Sequence, residues 1–172
     1  MEFLRIRIGA AVVVVSLCIL LAPACGKKVE EKNAEKAMEK VLTEATGKET
    51  KVDLSDGNVR IENKDMKVDI ASSSTWPADM FADVPKFTGG AIERVVVSNE
   101  GGAKKFNIYY TGIKDDAVKQ YTQDLKARGW DANLMEMGGK AAMLNAQKSN
   151  LGLSFTYSAE NKDGILAVFS TE

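Results

Sequence analysis

The sequence has no histidine, and its 2 cysteines, Cys18 and Cys25, both precede Gly26. Without imidazole there is no Ser-His-Asp or Cys-His catalysis, no His-ligated zinc or haem, and no histidine pH switch. A net charge of -1 and a pI near 5.7 leave no basic field to offset phosphate, which excludes a nucleic-acid binder. The same near-neutrality gives no strong steering of a charged partner. The longest apolar run, Ile8 to Leu21, is shorter than the roughly 20 residues that span a bilayer as a helix. What remains is a chain of 172 residues, 45% hydrophobic and 27% charged. That suits one domain or two small ones, neither disordered nor polytopic.

Arg5 and Arg7 precede the apolar run IGAAVVVVSLCILL, and the small residues that follow it complete a secretory signal. The run ends Leu21-Ala22-Pro23-Ala24-Cys25, which resembles the lipobox of bacterial lipoproteins. That resemblance implies a signal peptide over residues 1–24, cleavage before Cys25, and a diacylglyceryl group on the Cys25 thiol. The membrane is then the partner, reached through palmitate-type acyl chains on Cys25. One chain anchors a protein only marginally; the two or three that lipoprotein processing implies hold it firmly. Cys18 leaves with the signal, so the mature chain has no free thiol for a disulfide, a nucleophile or a metal. Gly26, rather than Asp, after the cysteine implies the outer membrane in a host with two membranes.

Residues 25–71 read as the acylated cysteine, an amphipathic helix and a β-meander. Over Lys28–Thr46, Met38, Val41, Leu42 and Ala45 recur at helical spacing, and Gly47 closes the helix. Lys28–Glu31, Lys32–Glu35 and Lys36–Glu39 read as ion pairs on a solvated face. Alternating apolar residues predict strands at Lys51–Ser55, Asn58–Asn63 and Met66–Ala71, the first two joined by an Asp56-Gly57 hairpin turn. Asp53 to Asn58 resembles a calcium loop, but counting back from Gly57 puts Val52 where the first ligand must stand.

Residues 72–90 form a Ser-rich linker and an irregular segment, WPADMFADVPKFTGG, whose prolines hold it extended. Trp76, Met80, Phe81, Val84 and Phe87 are expected to pack along the following sheet, with an aromatic binding lip as the alternative. The segment resembles one in small envelope lipoproteins of unassigned activity, where WP, VP and a following Phe and Gly recur. Residues 91–172 read as an α+β domain. Strands are expected at Ile92–Ser98 and Lys104–Thr111, and a helix at Lys114–Arg128 with Asp115 or Asp116 as its cap. A meander then runs through Trp130–Met137, Lys140–Lys148, Leu151–Ser158 and Ile165–Thr171. The fold class expected is therefore α+β: an N-terminal helix with a three-stranded meander, then a two-layer domain of one helix on a largely antiparallel sheet.

Chemical motifs are weak. The Gly-Gly pairs at 89–90, 101–102 and 138–139 open no helix and carry no GxxxxGK[ST], so they read as turns. Asp115–Asp116 suits capping better than acid/base work, and Ser72-Ser73-Ser74 has neither SxxK nor a histidine base. Met135, Met137 and Met143 read as core fillers rather than copper ligands. No catalytic, cofactor-binding or metal residue is assigned, and Cys25 is the one site residue.

The strand Phe106–Tyr110, the helix after it and the Gly129-Trp130 strand resemble the first half of SPOR domains, which bind peptidoglycan. Residues 140–172 depart from that pattern, reading as strands and turns where SPOR has a second helix. The expectation is a lipid-anchored cell-envelope protein, not an enzyme, that binds or scaffolds an envelope protein or cell-wall partner. The alternatives are a SPOR-like peptidoglycan module and a hydrolase using only carboxylates and hydroxyls.

Overall fold

The computed structural model describes residues 28–55, 58–71, 73–100 and 102–170. Cys25, the signal segment and the Asp56-Gly57 turn lie outside the described residues. The chain divides into two compact units, Met1–Asp65 and Met66–Glu172.

In the first unit, α1 spans Lys28–Thr46, as the spacing predicts. Gly47 ends it with φ 67°, its N–H donating to the Thr43 carbonyl at 2.9 Å. Met38 and Leu42 are buried, but Val41 is 50% exposed and Ala45 lies in solvent, so the apolar stripe is narrower than expected. Beside it runs a polar line, Glu35, Glu39 and Thr43, and this line has a structural task. The outermost strand, β1 (Lys51–Asp53), pairs with β2 (Val59–Glu62), Val52 facing Ile61.

The side of β1 that β2 does not pair donates to α1. Leu54 N–H reaches Glu35 Oε1 at 2.9 Å, Val52 N–H reaches Glu39 Oε1 at 3.0 Å, and Thr50 N–H reaches Thr43 Oγ1 at 3.1 Å. The fit is metric: four helical residues rise about 6 Å, and two strand residues about 6.6 Å. A comb of helix side chains thus satisfies an edge that would otherwise offer free donors. The expected Lys32–Glu35 and Lys36–Glu39 pairing gives way to this because a half-buried N–H needs an acceptor more than an exposed lysine does.

The second unit contains β3 (Met66–Ala71), β4 (Ala91–Glu100), β5 (Ala103–Thr111), α2 (Ala117–Ala127), β6 (Asp131–Met137), β7 (Ala141–Lys148), β8 (Leu151–Ser158) and β9 (Asp163–Ser170). Here the expected fold class needs correction. In the second unit β3 to β9 form one antiparallel sheet of order β3-β4-β5-β9-β8-β7-β6, so β3 belongs to that sheet and not to a three-stranded meander apart from it. The reason is that β3 pairs along its full length with β4, from Met66 opposite Glu100 to Ala71 opposite Val95, across the irregular segment between them. The last four strands do form a meander, and β9 closes it onto β5.

The core lies on one face of this sheet. Val95, Ile108, Leu166, Phe155, Leu144 and Leu134 stand in one register row from β4 to β6. Over them lie Val118, Tyr121, Thr122 and Leu125 of α2, all buried. Beside α2 lies the irregular segment. Phe87 is its plug, meeting Phe155, Tyr110 and Tyr121 edge-to-face at 4.8, 5.0 and 5.3 Å. Tyr121 Oη donates to the Pro85 carbonyl at 2.8 Å and Trp130 Nε1 to the Asp83 carbonyl at 3.3 Å. The segment therefore packs where its aromatic spacing predicts. Gly89 permits the approach, since a Cβ there would stand 2.4 Å from Ala117 Cβ.

The helix α2 begins three residues later than expected, and neither aspartate caps it with its side chain. Asp116 adopts φ 64°, makes no side-chain cap bond, and offers its carbonyl to Gln120 N–H at 2.9 Å. A left-handed residue there breaks the helical path that Lys114 and Asp115 would extend.

Candidate functional site

The one site residue the sequence supplies, Cys25, lies outside the described residues, so its chemistry rests on the sequence. The other candidates can be placed. Asp115 and Asp116 are both exposed; Asp115 approaches Lys162 at 3.8 Å and Asp116 approaches Lys119 at 4.0 Å. A shallow cleft of about 300 Å³ beside Phe87 and the start of α2 is lined by Lys86, Lys114, Asp115, Gln120 and Asp124 among others. Among the described residues no cluster of three or more acidic residues is arranged to hold a metal ion, and no helix is long and apolar enough to cross a membrane.

The tyrosines divide by face. Tyr110, Tyr121 and Tyr157 are buried on the core side. Burial pushes the Tyr110 and Tyr121 hydroxyls far above the ordinary tyrosine value, so they stay protonated and serve packing. Tyr109 is on the other face, under the Arg94 guanidinium, whose carbon sits 4.2 Å from the ring centroid.

That other face is the feature the sequence reading missed. Neither α2 nor the irregular segment reaches it. One residue along from the core row, a second row runs Arg94, Tyr109, Ile165, Thr156, Met143, Met135 in register. Met135 is 56% and Ile165 41% exposed, and Met137 beside them is 43% exposed. The methionines expected in the core are therefore divided: Met143 is half-covered, and Met135 and Met137 face solvent.

The adjacent row of the same face, Ile70, Val96, Asn107, Ala167, Ser154, Asn145, Asn133, has no charged residue. In a chain that is 27% charged, these two central rows carry one charge, Arg94. Its Nε is buried and has no hydrogen-bond partner among the described residues. The signal was present in the sequence as apolar residues at both parities of β6 and β9. Alternation alone could not say which parity was covered.

No family model, curated protein or solved structure matches the chain.

Proposed function

We propose that this chain is a lipid-anchored protein of the bacterial cell envelope that works as a non-catalytic binding or scaffolding module. The lipobox ending in Cys25 supports the anchor, through acyl chains that place the protein on the outer membrane where the host has two. The binding role rests on one observation: the uncovered, charge-poor sheet face around Thr156 and Ile165. On this face Met135, Met137 and Ile165 stand exposed among uncharged polar residues, and exposed large apolar side chains gathered on one face mark an interaction site. Met, Tyr and Arg together, with few Lys, Glu or Asp, is the composition of a protein interface.

Two measurements test the two halves. Metabolic labelling with palmitate followed by membrane fractionation should show a labelled, membrane-bound parent and an unlabelled Cys25→Ser variant; equal labelling of both refutes the anchor. A photo-reactive side chain at position 156, in intact envelopes, should give protein adducts that the same probe at position 123 on α2 does not. Absence of adducts at position 156 refutes binding through this face.

A further inference from the structure

We infer that the free margin of β6 is a docking edge for an extended segment of another polypeptide, which adds to the sheet as an antiparallel strand. The inference goes beyond the face reading, because it concerns the backbone of one strand rather than the side chains of the open face. β6 stands last in the sheet of the second unit and pairs only with β7. That ladder is unbroken from Asp131 opposite Gln147 to Met137 opposite Ala141. Alternate residues of an edge strand turn both N–H and C=O away from their one neighbour, so about six to eight backbone groups lie along this margin. The Met137 carbonyl accepts Lys140 N–H within the turn at 3.2 Å. No other loop or side chain among the described residues bonds the β6 backbone, whereas β1 meets Glu35, Glu39 and Thr43 on its outer side.

The devices that usually blunt such an edge are missing: β6 reads DANLMEM, with no proline, no lysine or arginine and no bulge. A margin of this kind is matched by another backbone, which repeats its own N–H and C=O every two residues, about 6.8 Å. Acyl chains have no such groups to offer. Side chains then name the guest. Met135 and Met137 are exposed and stand two residues apart, on the side of the sheet away from α2. Across an added strand each meets a side chain about 5 Å away, and an apolar one covers it. At the far end of the same side Asp131 is exposed and has no ion-pair partner among the described residues, so a lysine or arginine suits it. Glu136 points to the opposite side, where Lys119 already holds it at 2.9 Å. An antiparallel guest therefore carries apolar residues at its start and a basic residue six positions after the first of them.

The probe is a fluorescent peptide, Val-Thr-Val-Thr-Thr-Thr-Lys with blocked ends, titrated against the full processed chain in mild detergent. It should bind saturably. Only alternate amides of an antiparallel guest face β6, so two further peptides are N-methylated, one on the odd residues and one on the even. One of them should bind at least tenfold more weakly than the other, although their side chains are the same. Asp131→Lys should keep the parent's thermal unfolding midpoint and weaken the lysine-ending peptide about threefold or more, and a glutamate-ending peptide should recover the loss. No saturable binding below about 1 mM overturns the inference. So does equal weakening by the two methylation patterns, or equal binding of both peptide endings to Asp131→Lys.

The photo-reactive probe at position 156 reads the open face separately. Adducts there without peptide binding overturn the β6 edge and leave the face a binding surface. Peptide binding with the expected methylation and charge dependence, but no adducts at position 156, supports the edge and removes the face reading.

Discussion

The two faces of the β3–β9 sheet are made from the same strands, one residue out of step, yet they were given opposite fates. The Val95–Leu134 row is sealed by α2 and by an irregular segment that plugs Phe87 into the middle. The Arg94–Met135 row is covered by neither α2 nor the irregular segment, and among the described residues Thr156, Ile165 and Met135 on it are exposed. The covered row is wholly apolar, whereas the open row admits Arg94 and Thr156, and the two differ in size and shape as well. The covered side alternates large rings with aliphatics around a fixed aromatic cluster, whereas the open side mixes methionine, hydroxyls and amides that tolerate either water or a second surface. A sheet needs one face buried to fold, and the other is then available for association.

The largest test of this contrast is Phe87→Ala. Phe87 is buried and touches three aromatic rings, so its loss should cost about 3–5 kcal/mol, read as a fall in thermal unfolding midpoint. Next come two glycines that differ in what stands over them. A Cβ at Gly164 would sit 2.8 Å from the Thr156 carbonyl oxygen and 2.8 Å from the packed Phe155 ring, so Gly164→Ala should cost about 1–3 kcal/mol. At Gly152 a Cβ would meet the Phe169 ring at 2.3 Å, a closer clash on paper. Phe169 lies on the open side and can swing away, so Gly152→Ala should cost less than Gly164→Ala in the same denaturant titration. The reverse order would mean that the open side is as rigid as the core.

Acid probes the irregular segment. Lys104, 2.6 Å from Asp79, holds the Asp79 carboxyl below its ordinary value of 3.8. A lowered folded-state pKa adds stability that is complete above the unfolded value and lost as pH falls through the folded one. The parent should thus lose a few tenths of a kcal/mol more than Asp79→Asn as pH drops below about 4, the size of a screened surface pair. Smallest of all, Ile165→Thr on the open row should change monomer stability by less than about 0.5 kcal/mol when unfolding is measured at high dilution.

Much of the local structure was legible in the sequence. Leu151–Ser158 and Met66–Ala71 are strands as their alternation predicts, and α1 ends at Thr46 because Gly47 takes a positive φ. What the sequence concealed was partnership. The irregular stretch between β3 and β4 hides that Ile70 lies beside Val96, so β3 reads as part of a small meander. Lysines three residues from Glu35 and Glu39 suggest ion pairs, and no periodicity shows that a strand more than ten residues away needs those oxygens. Asp116 takes the N-cap position that its residue type suggests, but with a left-handed backbone its side chain makes no cap bond. As for the candidate site, Cys25 stands on its motif alone, while the open face becomes visible only when the two parities of each strand can be told apart.

The Glu35, Glu39 and Thr43 acceptors also carry a consequence for the order in which the molecule matures. A chain that is synthesised or threaded through a membrane N-terminus first presents α1 before any strand exists. By the time Thr50 to Leu54 straightens, its sticky margin is met by a guard already in place. Newly made molecules are thereby kept from zipping together along that margin.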